Sequence, residues 1–584
     1  MGWVDLVHLS ILFFIAFVYS ADLYDDESGI ITLHANNFTD FVQLQPTLVQ
    51  FYLHTCGSCQ NYAPLFKNLG KSVENWSWAV KIAVIDCSYP ANREISNKYD
   101  VEFFPTFIFF LKGTKHQIIT KYFSASTFRE KIADVLVNEK QYDQLIPAVT
   151  TSNTLTVFGP NANQVAMIIL DTQLNIPTTL QSLIVEGTQY GVKDISGKIA
   201  FVGEDASAVQ KFLLQNYQKV EEKVLQPSDK PVRSEPTAVI NPINYSMPVY
   251  AADILASLQI IFTHDIALKK EIKGLELDAL KEFLTVLSKY LDLGRQYNEE
   301  IAYLQRTVAG RSIISREEWT EFVAKMKLST DEVNYIACRG SRPYLRGYPC
   351  GLWVMFHSMT VNRFLKNEKP DDKAPIAHAL NRFVSRFFSC GYCAFHFAKM
   401  TSNVRLPGEA IYPDRPDVKP PFPLVEPDLS TLPIPPKSAR DEVLWLNNAH
   451  NRVNKRLSGE SSEDPAAPKV VFPSPQQCRA CWSDEARAKM AEDKFAAHPD
   501  RTDELLAYLV HHYRPSSWRW DDVCVSFEDI SQLGHEGNVF TTFDLILVGV
   551  ICLCCASAIV ALFGLVCCRW RCSTKRDHMP LPNA

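Results

Sequence analysis

Three Cys-x-x-Cys pairs stand out among the ten cysteines that precede residue 545, and one of them is followed by a histidine. Cys390 and Cys393 lie three residues apart, and His396 comes three residues later, within an aromatic, apolar run. At helical spacing these side chains fall near one helix face. The spacing alone leaves two interpretations, which are a buried structural disulfide on a core helix and a redox-active disulfide facing a cofactor.

The other two pairs, Cys56–Cys59 and Cys478–Cys481, have the same spacing. A disulfide between cysteines so close in sequence closes a short loop and therefore stabilises a fold little. Three such pairs favour thiol–disulfide exchange over reinforcement. Zinc is the competing use of paired Cys-x-x-Cys, and we expect no metal site because the pairs are far apart or lie in apolar segments.

Four further cysteines precede residue 545 and belong to no Cys-x-x-Cys pair. Cys338 and Cys350 are predicted to form an ordinary structural disulfide, while Cys87 and Cys524 have no evident partner in the sequence. An oxidising compartment makes such bridges expected.

Both ends of the chain indicate a secretory membrane protein. Residues 1–20 contain an apolar core followed by small residues, which predicts a signal peptide. Residues 545–566 form an uncharged apolar run long enough to span a bilayer. Basic residues follow this run at once and predict a cytosolic tail and a luminal or extracellular bulk, namely Arg569, Arg571, Lys575 and Arg576. Sequons at Asn37, Asn75 and Asn244 agree with this route.

The overall composition excludes one class of partner and indicates several domains. The chain has 584 residues, which is too long for a single core. Its formal net charge is −6, and no basic block exists outside the extreme C-terminus. Nucleic acid is therefore not an expected partner.

The elements around the first cysteine pair resemble a thioredoxin domain. A strand run over 47–53 leads into Cys56–Cys59, a helical pattern with Pro64 follows, and a second strand run covers 80–86. A Pro-Thr step at Pro105 precedes another strand run. The resemblance implies that Cys56 is the thiolate nucleophile at a helix N-terminus, that Cys59 resolves the mixed disulfide and that Pro105 is cis. Thr55 departs from the tryptophan that is usual in this family.

Residues 141–223 contain further apolar runs over 154–158, 167–170 and 198–202, which we interpret as strands of a second thioredoxin-like domain without active cysteines. A generic α/β spacer is the alternative. Residues 224–248 are rich in proline and polar residues and predict a linker, and residues 249–325 have helical periodicity.

The densest signal lies between residues 326 and 517. Trp353 and His357 are spaced i, i+4. A second helical pattern places four polar residues on one face, namely Asn447, His450, Asn451 and Asn454. A polar stripe at core spacing requires a buried polar partner, which a large heteroaromatic cofactor would supply.

With these segments in hand, residues 326–517 resemble the Erv-type flavin domain, and residues 22–517 together resemble the quiescin sulfhydryl oxidase family. The resemblance implies FAD bound among helices, O₂ as electron acceptor and Cys393 as the sulfur nearer the flavin. The positions that it assigns to FAD contact are Arg346, Trp353, His357, Tyr392, His396, Trp445, Asn447, His450, Asn451, Val453, Asn454, Lys469 and Phe472.

Three departures from the family pattern appear in this region. Tyr392 stands where relatives often carry an acidic residue, and Phe472 where tryptophan is common. Residues 403–441 form a proline-rich insertion, which we interpret as an exposed loop. Cys478–Cys481 is either a further electron shuttle or, as we favour, a structural disulfide.

The sequence therefore predicts a multidomain protein that combines two α/β thioredoxin folds, the second without Cys-x-x-Cys, with an all-α FAD-binding bundle and one C-terminal transmembrane helix. The predicted segments are a signal peptide (1–20), the first thioredoxin domain (22–140), the second thioredoxin-like domain (141–223), a linker (224–248), a helical region (249–325), the flavin domain (326–517), a stalk (518–541), a transmembrane span (542–567) and a cytosolic tail (568–584).

The predicted function is a thiol oxidase that introduces disulfides into secretory or extracellular proteins. Electrons would pass from substrate thiols to Cys56/Cys59 and, after the thioredoxin domain swings across the linker, to Cys390/Cys393, FAD and O₂, giving H₂O₂. Two alternatives stay open, which are a disulfide isomerase or thiol-dependent binding protein without oxidase activity, and a membrane adhesion protein. The expected location is the Golgi or cell surface, as a type I glycoprotein.

Overall fold

The structure is a computed structural model that describes residues 23–24, 29–77, 79–111, 114–119, 125–138, 156–172, 184–185, 188–194, 196–216, 247–329, 334–369, 371, 373–405 and 429–520. The predicted signal peptide, transmembrane span and cytosolic tail lie outside the described residues, as do nearly all of the linker and the stalk. Within the described ranges, no helix combines the length and the apolar character needed to cross a membrane.

A five-stranded sheet with flanking helices forms the first unit, residues 29–138, which we call the thioredoxin unit. Its elements are β1 (Ile31–Leu33), α1 (Ala35–Leu44), β2 (Thr47–Tyr52), α2 (Gly57–Ser72), β3 (Lys81–Asp86), α3 (Pro90–Lys98), β4 (Thr106–Leu111), β5 (Thr114–Ile119) and α4 (Ala125–Asn138). The strand order is β1-β3-β2-β4-β5, in which β1, β3 and β2 run parallel and β4 and β5 are antiparallel to their neighbours. The thioredoxin fold predicted for this region is confirmed.

A smaller four-stranded sheet follows. Its elements are β6 (Thr156–Gly159), α5 (Ala162–Thr172), β7 (Ile184–Val185), β8 (Tyr190–Lys193), β9 (Ile199–Gly203) and α6 (Ala206–Asn216), with strand order β7-β6-β8-β9. The strand predicted at 167–170 is wrong, because these residues lie inside α5. Four apolar residues in a row fit a buried helix as well as a buried strand.

Helices build the rest of the described chain, residues 247–520, which we call the helical unit. Its elements are α7 (Ala251–Ile260), a π-helical turn (Ile261–Asp265), β10 (Glu271–Lys273), α8 (Gly274–Tyr290), α9 (Arg295–Ala309), β11 (Ile313–Ser315), α10 (Arg316–Ala324), α11 (Gly347–Lys366), α12 (Pro375–Phe387), α13 (Gly391–Met400), α14 (Ala439–Leu457), α15 (Asp484–Glu492) and α16 (Thr502–Tyr513). The all-α architecture predicted for residues 326–517 is confirmed, and the short β10–β11 pair lies before this range.

One hydrophobic core runs through the whole helical unit. It joins α7 and α8, from the region predicted only to be helical, to α11 and α12, from the predicted flavin domain. Residues 251–258 of α7 are buried on every side, which is typical of a helix at the centre of a larger domain. The two predicted segments 249–325 and 326–517 therefore share one interior.

Candidate active site between the two cysteine pairs and the helical core

The first cysteine pair lies where β2 passes into α2. Cys56 is the residue that caps the N-terminus of α2, and Cys59 lies in the first turn of that helix. Both are free thiols and both are buried. The predicted cis peptide is present between Phe104 and Pro105, directly before β4. The loop before β4 contacts the first cysteine, since the Phe104 carbonyl oxygen lies 3.8 Å from Cys56 Sγ.

The two thiols of this pair have opposite pKa shifts. Burial acts to raise the pKa of Cys56, but hydrogen bonds from Cys59, Ser58 and the first-turn backbone outweigh it, and the pKa is lowered. Burial raises the pKa of Cys59 well above its usual range, and the neighbouring Cys56 and Asp86 raise it further. Cys56 is therefore the more acidic thiol of the pair.

The second cysteine pair also straddles the start of a helix. Cys390 caps the N-terminus of α13, and it forms a disulfide with Cys393 in the first turn. The prediction that both cysteines and His396 lie on one helix face is therefore only partly correct, because Cys390 precedes the helix. Its backbone is not helical (φ −74°, ψ 89°) and forms an isolated bridge with Phe104.

The two cysteine pairs meet directly. The Phe104 amide donates to the Ser389 carbonyl oxygen over 2.8 Å, and the Gly391 amide donates to the Phe104 carbonyl oxygen over 3.2 Å. These two bonds form a parallel bridge between Phe104 and Cys390. Ser58 Oγ lies 3.1 Å from Cys56 Sγ and 3.2 Å from Cys390 Sγ. One hydroxyl therefore links the free thiol pair to the disulfide.

An ion-pair cluster joins the two units beside this contact. Lys269 of the helical unit is buried, and its Nζ lies 3.0 Å from Glu102 Oε2 of the thioredoxin unit and 2.8 Å from Glu276 Oε1 of its own unit. The same ammonium group lies 4.9 Å from the centre of the Phe103 ring. Arg93 adds a hydrogen bond of 3.1 Å to the Thr263 carbonyl oxygen.

The start of α2 also binds backbone groups of the helical unit. The Ser462 amide donates to Asn61 Oδ1 over 2.8 Å, and the side-chain amide of Gln60 donates to the Tyr344 carbonyl oxygen. Both residues directly follow the first cysteine pair, so the helix that carries the thiols is itself part of the contact.

A cavity of about 320 Å³ begins at this contact and extends into the helical unit. Thr55, Gly57 and Ser58 close one end of it, and Cys393, but not Cys390, lies on its wall. Eight of the predicted FAD-contacting residues line it, namely Arg346, Trp353, Tyr392, His450, Val453, Asn454, Lys469 and Phe472.

The aromatic part of the cavity wall suits a flat heteroaromatic ligand. The Trp353 and His450 rings are stacked with their centres 4.2 Å apart, and His450 Nδ1 lies 3.2 Å from His357 Nε2. His357 Nδ1 and Trp445 Nε1 are buried and have no hydrogen-bond partner among the described residues. Neither residue lines the cavity, so it is the stacked Trp353 and His450 rings that indicate a flat ligand there.

The cavity wall also contains the cationic residues Arg346 and Lys469. Burial and the neighbouring Arg346 lower the pKa of Lys469, while Glu463 and Asp464 act to raise it. Two cations that repel each other across a cavity favour an anion between them. The residues present thus fit FAD, whose pyrophosphate would lie near Arg346 and Lys469 and whose rings would lie near Trp353 and His450.

Known protein families and sulfhydryl oxidases are similar to this chain along most of its length. Three family models match in order along the chain: Thioredoxin over residues 29–134, Flavin adenine dinucleotide (FAD)-dependent sulfhydryl oxidase over 245–341 and Erv1 / Alr family over 350–414. Human Sulfhydryl oxidase 2 is 26% identical over 523 residues, covering 80% of this chain and 69% of that protein. Sulfhydryl oxidase 1 of Cavia porcellus is 26% identical over 556 residues, covering 85% of this chain and 83% of that protein. This chain is thus similar to sulfhydryl oxidases along most of its length.

The matched models and relatives support a FAD-dependent thiol oxidase that forms disulfides. A solved structure titled Sulfhydryl Oxidase Fragment of Human QSOX1 is 28% identical, covers 48% of this chain and 100% of its own, and has a TM-score of 0.38. The FAD-dependent model matches the region 245–341, which the sequence reasoning assigned mainly to an unspecified helical region. The uniformly apolar α7 was the signal in the sequence that could have joined it to the flavin domain.

Part of the polar stripe on α14 binds backbone groups. Asn447 and Asn451 donate to the Phe472 carbonyl oxygen over 2.9 and 2.8 Å, Phe472 donates back to Asn451 Oδ1 over 2.8 Å, and Asn454 donates to the Val470 carbonyl oxygen over 3.1 Å. Asn447 and Asn451 therefore have backbone partners, whereas His450 and Asn454 of the same stripe line the cavity in which the cofactor is expected. The stripe fixes the cavity wall that carries Lys469 and Phe472.

Five predicted FAD contacts do not line the cavity, namely His357, His396, Trp445, Asn447 and Asn451. His357 supports His450 from behind and stacks on Tyr513 with ring centres 4.6 Å apart. His512, Tyr513 and Arg456 line the cavity and were missed by the sequence reasoning. His512 and Tyr513 were missed because they end the apolar pattern of α16, which predicts only packing against the core.

The remaining cysteines behave largely as predicted. Cys338 and Cys350 form a disulfide that lies on the cavity wall, and Cys478 is bonded to Cys481. Cys87 is a free, buried thiol, and Cys524 lies outside the described residues. No cluster of three or more potential metal ligands occurs in the part of the chain that the structure describes.

Proposed function

We propose that electrons from the thiols of secretory or extracellular proteins pass through Cys56/Cys59 and Cys390/Cys393 to FAD and then to O₂. The observation that carries this route is the contact of Ser58 Oγ with both Cys56 Sγ and Cys390 Sγ.

The first step oxidises the substrate. A substrate thiolate attacks the Cys56–Cys59 disulfide, and a second substrate thiol displaces the enzyme sulfur. The substrate leaves as a disulfide, and the enzyme keeps two electrons as the Cys56/Cys59 dithiol. This step requires access to Cys56, which is buried in the contact between the two units, so the thioredoxin unit must leave the helical unit to collect electrons.

The second step moves the electron pair between the two cysteine pairs. The Cys56 thiolate attacks Cys390 Sγ, the Cys390–Cys393 bond breaks, and Cys393 leaves as a thiolate. Cys59 then loses its proton and attacks Cys56, which restores the Cys56–Cys59 disulfide and releases Cys390. The lowered pKa of Cys56 and the raised pKa of Cys59 support this order of attack.

The helical unit holds the site at which the electrons leave the protein. Cys393 lies on the cavity wall, which supports its assignment as the sulfur nearer the flavin. Arg346, Lys469, Trp353 and His450 would hold the cofactor. The chemistry that bound FAD supplies is the transfer of two electrons from a dithiol to O₂, which yields H₂O₂ and which cysteines alone perform poorly.

Cysteine variants test the route. Cys390→Ala is expected to abolish O₂ consumption with every thiol substrate, whereas Cys56→Ala is expected to lose activity toward a reduced protein and to retain oxidation of a small dithiol such as dithiothreitol. Cys87→Ala, which removes a buried thiol outside the route, serves as the matched control. Unchanged turnover in Cys390→Ala would refute the route, and a colourless protein that reshuffles disulfides would instead support an isomerase.

We further propose a type I membrane protein of the Golgi or cell surface. The support is the sequence alone: the signal peptide at 1–20, the apolar run at 545–566 and the basic residues after it. The sequons at Asn37 and Asn75 both lie at exposed positions, as glycosylation requires. Mass spectrometry of the purified protein would detect the glycans and the cleaved N-terminus.

We retain the interpretation of Cys478–Cys481 as a structural disulfide. Cys481 is fully buried within the core of the helical unit, which supports that role over electron shuttling. Oxygen consumption by a variant with both cysteines replaced by serine would separate the two roles, since a shuttle would be lost and a bridge would affect chiefly stability.

A further inference from the structure

Ser58 occupies the point at which the two cysteine pairs meet. It is the second residue of α2, its side chain is buried, and its Oγ lies 3.1 Å from Cys56 Sγ and 3.2 Å from Cys390 Sγ. The backbone bridge between Phe104 and Cys390 holds the disulfide at this hydroxyl. The position of Ser58 thus depends on the contact between the units as well as on its own helix.

The Ser58 hydroxyl can donate a hydrogen bond to only one of the two sulfurs at a time. It has one proton to donate, and Cys390 in a disulfide has no proton to give. Cys59 and first-turn backbone groups also bind Cys56, and all of these groups belong to the thioredoxin unit. Ser58 is the side chain that contacts a sulfur of each pair.

The exchange moves negative charge from one of these sulfurs to the other. Before the reaction Cys56 is the thiolate. Once the Cys56–Cys390 bond has formed and Cys59 attacks Cys56 Sγ, that bond breaks and its electron pair leaves on Cys390. A donor within reach of both sulfurs stabilises the charge at each end of the transfer without moving far.

We propose that Ser58 is a catalytic residue of the exchange between the two cysteine pairs, in which its hydroxyl donates a hydrogen bond first to the Cys56 thiolate and then to the departing Cys390 thiolate. This assignment rests on the proposed electron route. Ser58 gains and loses no electrons and keeps its proton throughout, so the disulfide balance of the exchange is unchanged.

The test is single-turnover reduction of the FAD-loaded full chain by a reduced, unfolded model protein in the absence of oxygen. The loss of flavin absorbance reports the rate of this reduction. Ser58→Ala is expected to slow this transfer at least ~10-fold, which is the low end for a hydrogen bond to a charged group. Ser58→Thr keeps the hydroxyl and is expected to restore most of the rate. Ser72→Ala is the matched control, because Ser72 lies at the far end of the same helix, where its hydroxyl donates to the Leu69 carbonyl oxygen over 2.9 Å.

A second readout separates a catalytic from a structural role. The pH dependence of Cys56 alkylation by iodoacetamide reports the pKa of its thiol, which Ser58→Ala is expected to raise and Ser58→Thr to bring back. A transfer rate in Ser58→Ala within twofold of the wild-type rate would overturn the proposal. So would a slowed rate with an unchanged alkylation profile and no rescue by threonine.

Cys56→Ala in the same assay distinguishes failure of the Ser58 assignment from failure of the route. Loss of transfer in Cys56→Ala together with a wild-type rate in Ser58→Ala would refute the role of Ser58 alone. Wild-type rates in both variants would refute the electron route and the role of Ser58 with it.

Discussion

Replacement of Glu102 by glutamine is expected to weaken the docking of the thioredoxin unit onto the helical unit. Glu102 provides the thioredoxin side of the ion-pair cluster, and its side chain is 8% exposed, while that of Lys269 is 2% exposed. Glutamine keeps the shape of the side chain and removes its charge. Lys269 keeps its second carboxylate, Glu276, at 2.8 Å in its own unit.

The size of the effect follows from this geometry. Stranding a fully buried charge costs roughly 3–5 kcal/mol, but Lys269 is not stranded, because Glu276 still neutralises it. An exposed ion pair contributes only about 0–1 kcal/mol, but this pair is buried. A loss of about 2 kcal/mol, typical of one hydrogen bond to a charged group, lies between these limits and corresponds to an approximately thirtyfold lower docking constant.

Fluorescence energy transfer between dyes on exposed helix positions of the two units measures this docking constant. The rate of single-turnover flavin reduction by a reduced protein should decrease together with it. Glu299→Gln is the matched control, because Glu299 also forms an ion pair of 3.0 Å, but with Arg295 on the exposed surface of one helix. An unchanged docking constant in Glu102→Gln would show that the observed contact between the units is not the one that forms in solution.

Three further predictions concern the cavity, its disulfide and pH. Lys469→Met should weaken FAD binding ~10-fold or more, because it removes one of the cations on the cavity wall, as fluorescence titration of the apoprotein would show. Replacement of Cys338 and Cys350, 12 residues apart, by alanine should lower the free energy of unfolding in urea by about 3 kcal/mol. Burial and, to a smaller extent, Arg93 of the thioredoxin unit lower the pKa of His264 to about 3, so this histidine should weaken docking as the pH falls below ~6.5, by at most about 1.4 kcal/mol per pH unit. Burial raises the pKa of Asp265 to about 7, which acts in the opposite direction; the difference between wild type and His264→Phe isolates the histidine, and equal pH profiles would contradict this account.

The thioredoxin unit was predictable because its signals are local. Strand runs predicted at 47–53 and 80–86 appear as Thr47–Tyr52 and Lys81–Asp86, and the cis peptide is at Pro105 as expected. Each signal depends on a few consecutive residues: a continuous apolar run predicts a buried strand, and a proline allows a cis bond. The run at 167–170 misled because its length and composition fit a helix equally well.

The contact between the two cysteine pairs was not predictable from the sequence. Ser58 and Cys390 are 332 residues apart, and no local pattern shows that they meet. The helix start at Cys390 was missed for a related reason, since the apolar run continues through it. The asparagine face of α14 was correctly identified as polar and buried, but its partner is a distant backbone segment, and an unpaired carbonyl group leaves no trace in side-chain periodicity.

The central claim is that Cys56 and Cys390 exchange disulfides directly, and trapping their mixed disulfide tests it most directly. A variant carrying both Cys59→Ser and Cys393→Ser lacks the two sulfurs that would resolve this intermediate. After oxidation of the full chain, proteolysis and mass spectrometry should identify Cys56 linked to Cys390 as the dominant cross-link. Absence of that link, or a predominant link from either cysteine to Cys478 or Cys481, would contradict the account.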